Sequence, residues 1–462
     1  MDNKIEDKKE YSVYKCKLKN DNPLFCVFDK WAHLANNLYN ETLFVLRQLF
    51  TGLKKEEKDI TPLEKETIDS VLKVAKSYKK TIVLNKDQRL VNYYFMDFYF
   101  KKTKNENYNS SLPKQTAQHV VREACDNFST WLKTLKEYNK NPSKFTGRPK
   151  MPKYKISGGI STFVVTNQCT RFKEKKFGYE VKFLKTKHTL TFNNKVKGKK
   201  LKEVNVKYEY SSYKITYLFE DIEKSEPVVS TGNVVCGIDL GVNNIASIET
   251  SNGDSLLVKG KFIKSKNGWY NKNIAKNMRG QTIGTTNKAK SSKALNRIYE
   301  KRALFMMDIM HKISKKIVEW CESKNVSIIV IGSNKFWKQK INIGNNTQTF
   351  VQMPFSTLIN YIEDKANKVG IEVIKIEESY TSKASFLDLD DIPVYKEGDT
   401  EEYTFSGKRI SRGMYKSSTG FTFNADLNGA GNILRKYTNE NIVFNMSSLS
   451  SPEILDTKKI YM

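Results

Sequence analysis

The most constraining feature of the chain is a short apolar run that ends in one carboxylate. Residues 235–241 read Val-Cys-Gly-Ile-Asp-Leu-Gly. A continuous apolar run of this length, bounded by a turn signal, is typical of a strand buried on both faces of a sheet. The glycines on either side of the carboxylate allow other backbone to approach closely. The pattern therefore predicts a central strand whose tip presents Asp239.

A second lone carboxylate lies far downstream, at the start of a predicted helix. Residues 424–432 read Asn-Ala-Asp-Leu-Asn-Gly-Ala-Gly-Asn. An Asp in the first turn of a helix can simply favour the helix dipole. The Gly, Ala and Asn residues around Asp426, however, form a small polar face that can pack tightly against a strand tip. We therefore expect Asp426 to lie beside Asp239.

The elements between the two aspartates follow an α/β order. The periodicity predicts strands over 234–239, 244–249 and 255–258, a long helix over 287–323, a strand over 327–332, a helix over 355–369, a strand over 371–378 and a last helix near Asp426. This order is that of the ribonuclease H fold. In that fold the first strand is central, and the fourth and fifth strands lie beside it.

A ribonuclease H-like fold cleaves phosphodiesters with acidic side chains and two metal ions. The two ions lie about 3.5–4 Å apart, activate water and stabilise the leaving oxygen. Hard cations such as Mg²⁺ bind carboxylate oxygen, so histidine is unnecessary. The sequence therefore predicts a nuclease that uses two Mg²⁺ ions, for which Mn²⁺ can substitute.

The charge of the chain points to a polyanionic partner. Lys and Arg number 79 against 50 Asp and Glu, which gives a formal net charge of +29 over 462 residues. A field of this size favours nucleic acid. The sequence has no apolar span of about 20 residues, which a membrane-crossing helix would need. The first residues do not resemble a signal peptide. We therefore expect a cytoplasmic protein that binds nucleic acid and not a membrane.

Cysteine and histidine are too sparse for the chemistries that depend on them. The six cysteines are Cys16, Cys26, Cys125, Cys169, Cys236 and Cys321, and no two have the spacing of a metal clip. Neither a disulfide framework nor a zinc site is therefore expected. With only four histidines, a Ser-His-Asp triad is poorly supported.

The N-terminal half has a different pattern from the C-terminal half. Alternation over residues 11–28 predicts one or two strands, and helical periodicity covers about 30–50 and the stretch after Pro113. Residues 160–222 read as short strands joined by basic turns, which predicts a small β-barrel or sheet.

Four motifs together resemble the TnpB proteins of insertion sequences and their relatives, the small type V CRISPR effectors. Residues 237–244 (Gly-Ile-Asp-Leu-Gly-Val-Asn-Asn) resemble their first RuvC motif, and residues 424–432 resemble the third. Residues 380–383 (Tyr-Thr-Ser-Lys) are similar to the segment that leads into their zinc ribbon. Residues 112–118 are similar to a helix start in their recognition lobe.

The resemblance implies a multidomain α+β protein and an RNA-guided DNA endonuclease. The partners would be a guide RNA and a target DNA, with the protein reading a short flanking motif; monomer or dimer is left open. The implied segments are 1–34 and 148–230 (wedge β-barrel), 35–147 (helical recognition lobe), 231–380 and 423–462 (RuvC-like nuclease and tail) and 381–422 (target nucleic-acid-binding insert without zinc).

The first departure from the family pattern concerns the third acidic residue. The family usually has a Glu at the end of the fourth strand, where this chain has Gly332. The next predicted strand ends in Glu377 and Glu378, and neighbouring strands are about 4.8 Å apart. A relocated Glu could therefore reach the same metals as Asp239 and Asp426. Successive strand residues face opposite ways, so the two are exclusive candidates, and Glu378 is favoured as nearer the strand end.

The second departure is the absence of the paired cysteines between Tyr380 and Asn424. Without thiolates a zinc ribbon is excluded. The insert instead contains a basic stretch around residues 405–413, which predicts a metal-free hairpin that touches nucleic acid.

Basic and aromatic side chains supply the remaining candidates for binding guide and target. Aromatic rings stack on unpaired bases, and Lys and Arg neutralise phosphates. The candidate residues are Arg148, Lys150, Lys153, Lys335, Trp337, Lys338, Lys408, Arg409 and Arg412.

Two other functions remain open at this point. A nuclease-inactive, RNA-guided repressor is favoured by Gly332 and disfavoured by the presence of Asp239 and Asp426. A guide-independent transposase with a ribonuclease H core would usually carry an added DNA-binding module, which the sequence does not clearly show.

Overall fold

The computed structural model describes residues 10–176, 178–192, 199–221, 230–284, 291–333, 347–394, 402–438 and 442–462. The chain divides into two compact units, Met1–Ser225 and Glu226–Met462. Within the described ranges, no helix combines the length and the apolar character needed to cross a membrane.

In its described residues the first unit combines four α-helices with seven antiparallel strands. Its elements are β1 (Tyr11–Leu18), α1 (Leu24–Gly52), α2 (Pro62–Ala75), α3 (Tyr93–Lys102), α4 (Lys114–Lys140), β2 (Phe163–Thr166), β3 (Thr170–Lys175), β4 (Gly178–Phe183), β5 (Thr189–Phe192), β6 (Lys199–Glu209) and β7 (Ser212–Asp221).

The strands of the first unit form two sheets, where the sequence predicted a barrel or a sheet. One has the order β1-β7-β6-β2 and the other β3-β4-β5. The first strand pairs along its whole length with the last, from Tyr11 opposite Glu220 to Leu18 opposite Tyr213. The N-terminal strand therefore belongs to a sheet whose other strands lie far downstream.

Helix α1 carries an apolar face into an aromatic core. Phe28 and Trp31 are buried there against Phe163 and Phe183. The helix is continuous from Leu24 to Gly52, so a domain boundary between residues 34 and 35 would fall inside it. This boundary and the other predicted segment boundaries stay a prediction.

The second unit contains nine strands and seven helices in the described part of the chain. They are β8 (Val234–Asp239), β9 (Asn244–Thr250), β10 (Ser255–Lys259), α5 (Lys261–Thr282), α6 (Lys293–Ser323), β11 (Val326–Gly332), α7 (Thr347–Gln352), α8 (Phe355–Ala366), β12 (Glu372–Ile376), β13 (Lys408–Ser411), β14 (Met414–Lys416), β15 (Thr422–Asn424), α9 (Ala425–Tyr437), α10 (Met446–Ser450), β16 (Glu453–Asp456) and α11 (Thr457–Tyr461).

The large sheet of this unit has the order β12-β11-β8-β9-β10-β16. Strand β8 is central, parallel to β11 and antiparallel to β9, and β11 is parallel to β12. The order of its first five strands confirms the ribonuclease H-like prediction. Strand β16, which pairs parallel with β10, is an addition that the sequence did not reveal.

Helices cover both faces of this sheet. On one face Ile238 and Ile329 pack with apolar residues of α6 and α8. On the other, Val235 and Val330 pack with Ile433 and Leu434 of α9. Residues of β8 alternate between these faces, which puts Asp239 on the same face as α9.

Three local features go beyond the sequence predictions or differ from them. Helix α5 was not predicted. Strand β12 ends at Ile376, so Glu377 and Glu378 follow the strand instead of ending it. The insert forms a small antiparallel sheet with the order β13-β14-β15, whose first two strands are the predicted basic hairpin.

Candidate carboxylate site and nucleic-acid interface

Asp239 is the last residue of β8 and lies directly beneath the first turns of α9. A Cβ atom added to Gly429 of α9 would lie 2.8 Å from Asp239 Oδ2, and one added to Gly237 would lie 2.3 Å from the carbonyl oxygen of Ala430. Any side chain at either glycine would therefore push α9 away from the strand. The two glycines let helix and strand meet closely enough to bring the acids of both elements together.

Asp426 is held at the start of α9 by two asparagines. Asn424 caps the helix, since its Oδ1 accepts a hydrogen bond of 2.9 Å from the backbone N–H of Asp426. Asn244, the first residue of β9, donates from Nδ2 to Asp426 Oδ2 at 2.8 Å. Asn244 was not among the predicted site residues. Its position at the start of β9 could have identified it, because β9 runs antiparallel to β8 and that end of β9 lies at the same sheet edge as Asp239.

Glu378 lies beside Gly332, the last residue of β11. Gly332 pairs with Ile376 of β12, and Glu378 follows two residues later. A Cβ atom at position 332 would lie 2.8 Å from Glu378 Oε2 and 3.2 Å from Glu378 Cβ. The Glu378 side chain therefore occupies the space into which a side chain at the end of β11 would project.

Glu377 faces a different partner from Glu378. Lys436 Nζ donates to Glu377 Oε2 at 2.8 Å, and the backbone N–H of Ser379 donates to Glu377 Oε1 at 2.6 Å. Burial alone would raise the pKa of Glu377. The hydrogen bonds from Lys436 and Ser379 outweigh that effect, so the pKa lies below its usual range. Glu377 is thus a partnered carboxylate that ties the end of β12 to α9.

The charges of the three candidate acids act on one another. Burial, followed by the charges of Asp426 and Glu378, raises the pKa of Asp239 to about 8, against an opposing effect of Arg409. Burial and the charge of Glu377 raise the pKa of Glu378 to about 7, with Lys436 opposing. Asp239 therefore lies within electrostatic reach of both other acids.

The three carboxylates are half-buried and accessible from outside. Among the residues that the structure describes, no group of three or more Asp, Glu, His or Cys side chains is close enough together to hold a metal ion as it stands. The three acids come from the end of β8, the segment after β12 and the start of α9.

The asparagines of α9 hold the segment that follows Glu378. Asn428 and Asn432 are fully buried, and each donates 2.7 Å hydrogen bonds to the carbonyl oxygen of Ala384. Asn432 also donates to the carbonyl oxygen of Thr381 at 2.9 Å. The small residues of the helix contact the strand, as predicted, but these asparagines instead fix the chain leading away from the site.

The basic hairpin reaches the carboxylates. Arg409 of β13 lies with one guanidinium nitrogen 3.6 Å from Asp426 Oδ1, and the same nitrogen donates to the carbonyl oxygen of Arg412 at 2.7 Å. Lys408 and the Arg412 side chain are exposed. Among the predicted nucleic-acid-binding residues of this unit that the structure describes, Arg409 is thus brought to the acids.

The remaining predicted nucleic-acid-binding residues fall into two groups. Arg148, Lys150 and Lys153 are exposed in the first unit, in the irregular segment after α4. Trp131 of α4 donates from Nε1 to the carbonyl oxygen of Pro149 at 3.2 Å, which fixes that segment to the helix. Lys335, Trp337 and Lys338 lie outside the described residues.

Comparisons with known families match both halves of the site. The family model OrfB_IS605, described as a probable transposase, matches residues 197–338, which include Asp239. The model of the Cas12f1-like TNB domain matches residues 355–433, which include Glu378, the hairpin and Asp426.

A TnpB-like protein, ORF457 of Acidianus two-tailed virus, is 29% identical over 240 residues, which are 50% of this chain and 48% of that protein. The chain thus spans about half the length of this curated relative.

Two solved structures are similar over most of the chain. A Cas12f1 complex with single-guide RNA and target DNA has a TM-score of 0.46 and 15% identity, covering 89% of this chain and 82% of that one. The mini-RNA-guided endonuclease CRISPR-Cas_phi3 has a TM-score of 0.43 and 10% identity, covering 95% of this chain and 94% of that one.

Proposed function

The chain belongs to the TnpB family, and from that premise we propose that it is an RNA-guided DNA endonuclease. It would cleave double-stranded DNA next to a short flanking motif that the protein itself reads. The observation that carries the proposal is the meeting of three carboxylates at one edge of a ribonuclease H-like sheet. They come from the end of β8, the segment after β12 and the start of α9.

The donor set of this site fits a pair of divalent cations. All three side chains offer carboxylate oxygen, which hard cations such as Mg²⁺ prefer. Burial and then the charges of Asp426 and Glu378 raise the pKa of Asp239, and a bound cation would offset that repulsion. Asp239, Glu378 and Asp426 would hold two Mg²⁺ ions, for which Mn²⁺ could substitute. Ions bound there would activate water and stabilise the leaving oxygen of a phosphodiester.

The chain's other residues would position this site and the DNA backbone. Asn244 fixes the orientation of Asp426 through its hydrogen bond. Arg409, 3.6 Å from Asp426, lies where its guanidinium could pair with a phosphate brought to the carboxylates. Lys408 and Arg412 would extend this contact along the strand, since both are exposed on the same hairpin.

We expect the insert to fold without zinc. It contains no cysteine, and its small sheet is held by other contacts. Tyr415 and Phe423 are buried, and the Tyr415 hydroxyl donates to the carbonyl oxygen of Lys383 at 2.8 Å. Elemental analysis of the purified protein should therefore find no stoichiometric zinc.

The roles of the other segments follow from the same proposal. The helices of residues 35–147 would form the recognition lobe, and residues 1–34 and 148–230 the wedge. Arg148, Lys150 and Lys153 would then contribute to binding the guide or the target, together with Lys335, Trp337 and Lys338 from the second unit. A defined RNA should copurify with the protein, and its binding should weaken steeply between about 50 and 200 mM salt.

The decisive experiment replaces the aspartates one at a time. Asp239→Ala and Asp426→Ala should each abolish Mg²⁺-dependent cleavage of guide-matched DNA, while guide-dependent DNA binding is retained. Asp254→Ala is a matched control, because Asp254 pairs with Lys324 at 2.9 Å and has no place in the site.

Each of the other possible outcomes would indicate a different function or a different active site. Guided binding without cleavage by the unmutated protein, under any divalent metal, would identify a repressor. Cleavage that needs no RNA would identify a transposase-like enzyme. Cleavage that survives either aspartate substitution would move the active site elsewhere.

A further inference from the structure

Helix α5 carries only positive charge. No Asp or Glu occurs between Asp254 and Glu300, and the helix contains six basic residues. They are Lys261, Lys264, Lys266, Lys272, Lys276 and Arg279. A helix in a soluble protein usually alternates charges for mutual support. Here the charges repel one another, so helix stability does not explain why all of them are positive.

Four of the six basic residues lie on a single exposed stripe. The exposed positions of α5 include one set spaced three or four residues apart, which is one face of a helix. We call this face the α5 stripe; its members are Lys261, Ser265, Trp269, Lys272, Lys276 and Arg279. The four cations of the stripe form no ion pair with any residue in the described ranges.

A large aromatic ring lies within the stripe. Trp269 is 55% exposed, although burying such a side chain would remove more apolar surface from water than most residues offer. Lys266 Nζ lies 5.7 Å from the centre of its ring. An exposed indole flanked by cations is the combination that stacks on unpaired bases while lysines track the phosphates.

The opposite face of α5 is held firmly. Ile263 and Tyr270 are buried in the apolar core. Asn267 is also buried, and it donates to Gln352 Oε1 at 2.9 Å and accepts from Arg302 Nε at 2.8 Å. The exposed face can therefore be altered without disturbing the contacts that keep the helix in place.

The stripe begins at the edge of the sheet that carries the carboxylates. Lys259 ends β10 opposite Asn244, the residue that donates to Asp426. The backbone N–H of Gly260 donates to the carbonyl oxygen of Asn243 at 2.7 Å, and Lys264 Nζ donates to Asn243 Oδ1 at 3.4 Å. The first turn of α5 is thus connected to the acids through two neighbouring asparagines.

We propose that the α5 stripe holds the DNA strand that is being cut, in single-stranded form, as it enters or leaves the carboxylate site. This inference rests on the proposed function and names a substrate surface for it. The strand at the carboxylates must continue past them, and the stripe is a basic, aromatic surface that starts there. A guide RNA paired elsewhere need not approach this edge.

The dimensions of the stripe suit a short strand. From residue 261 to residue 279 the helix rises about 27 Å at 1.5 Å per residue. At about 3.4 Å per nucleotide this length corresponds to roughly eight nucleotides of one strand, and to fewer if the strand is extended. Sequence preference is not expected, because stacking and phosphate contacts do not read base edges.

The test uses the full-length protein with its copurified RNA, in the Asp239→Ala background to prevent cleavage. The probe is a fluorescent single-stranded DNA of twelve nucleotides, followed by anisotropy at several salt concentrations. Trp269→Ala should weaken binding about 10-fold. Lys272→Gln combined with Lys276→Gln should also lower the slope of log K against log salt by about 1.4, since about 0.7 is expected per phosphate contact on a single strand.

A matched control removes the same charge from the second unit away from the stripe. Lys315 of α6 and Lys368 after α8 are both exposed, and replacing both by Gln should leave the slope unchanged. Thermal unfolding should be the same for all variants, and so should the amount of copurified RNA. In the background with Asp239 intact, the stripe variants should cleave guide-matched DNA about 10-fold more slowly.

The outcomes separate this inference from the proposed function. Normal DNA binding and cleavage by the stripe variants would overturn the inference and leave the nuclease proposal standing. Loss of copurified RNA instead of DNA binding would also overturn it, because the stripe would then hold RNA. Stripe-dependent DNA binding by a protein that never cleaves would support the stripe while refuting the nuclease.

Discussion

Two carboxylates, the buried Glu64 in the first unit and the half-buried Asp239 in the second, have opposite surroundings. Glu64 of α2 accepts hydrogen bonds from Lys55 Nζ at 2.7 Å, from the backbone N–H of Thr61 at 2.9 Å and from Thr51 Oγ1 at 2.9 Å. Burial alone would raise its pKa, but these donors lower it to about 2. Burial likewise raises the pKa of Asp239, but its acidic neighbours Asp426 and Glu378 raise it further, to about 8.

The difference separates a structural carboxylate from a candidate functional one. Glu64 completes a capping box with Thr61 and is satisfied by its own unit, so the protein gains stability from its charge. Asp239 is surrounded by like charge, so its ionised form costs stability until a cation arrives. Perturbed pKa values of the second kind are typical of sites that bind something.

The largest expected effect concerns the two adjacent glutamates. Glu378→Gln should slow cleavage about 10²-fold or more, because it removes one of three candidate metal-binding charges and displaces the rest. Glu377→Gln should be mild, because Glu377 pairs with Lys436. Single-turnover cleavage at saturating Mg²⁺ measures both, with DNA binding as the check on folding.

A reversal of these two results would make Glu377 the third metal-binding residue. A carboxylate with hydrogen-bond partners, like Glu64, would then be functional, and the contrast between the two kinds of carboxylate would fail. Adding Gly332→Glu to the Glu378→Gln variant tests whether the two positions serve one site. A Cβ at 332 would lie 2.5 Å from Ile433 Cδ1, so Ile433 must shift, and only partial recovery is expected.

The next effect is on stability alone. Glu64→Ala should lower the free energy of unfolding by about 2 kcal/mol, since it breaks the capping box and leaves the half-buried Thr51 hydroxyl without this acceptor. Cleavage per folded molecule should not change. Urea unfolding followed by circular dichroism measures the loss, with the exposed Glu66→Ala on the same helix as control. An equal loss in both variants would show that Glu64 is not specially placed.

A smaller effect should follow from freeing Asp426. Asn244→Ala removes the 2.8 Å hydrogen bond to its carboxylate and should reduce cleavage about 10-fold, the low end for residues that orient metal ligands. The Mg²⁺ concentration for half-maximal rate should rise. The exposed Asn367→Ala serves as control. An unchanged Mg²⁺ requirement would mean that Asp426 is oriented by the helix alone.

The smallest effect is a dependence of stability on pH without metal. The folded-state pKa of Asp239, about 8, exceeds the usual unfolded value near 4. Its contribution to stability is therefore present below pH 4 and is lost as pH rises to about 8. In EDTA the Tm of the unmutated protein should fall between pH 5.5 and 8 by roughly 2–4 °C more than that of Asp239→Asn.

Glu249, whose pKa burial also raises to about 8, is present in both proteins, so the comparison isolates Asp239. Mg²⁺ at pH 8 should restore most of the loss in the unmutated protein. Identical pH profiles for the two proteins would contradict the crowding of acids around Asp239.

The sequence predicted the parts of the second unit whose patterns reflect burial on a sheet. Strands β8 and β10 are short and mainly apolar, β9 mixes apolar and polar residues, and the structure gives almost the predicted bounds for all three. The meeting of Asp239 with the start of α9 followed from small residues at the right positions. The assignment of Glu378 as the third ligand was inferred from the spacing of neighbouring strands and stays a prediction; the structure shows only that its carboxylate lies beside Gly332.

The parts that were missed depend on contacts that a periodicity does not encode. Helix α5 has few apolar residues, and its buried side is completed by Asn267, which bonds to Gln352 and Arg302. Strand β16 is four residues long and acquires its structure by pairing with β10. Arg409 was one of several basic candidates, and only the fold of the hairpin singles it out.

The contact between position 332 and the Glu378 carboxylate couples the evolution of two separate codons. With 2.8 Å between a Cβ at 332 and Glu378 Oε2, a bulky residue at the first position and a carboxylate at the second compete for one volume. Among relatives, the two alignment columns should therefore covary, with glycine in one accompanying an acid in the other. A genome survey that scores only the end of the fourth strand for an acid would discard such chains as inactive.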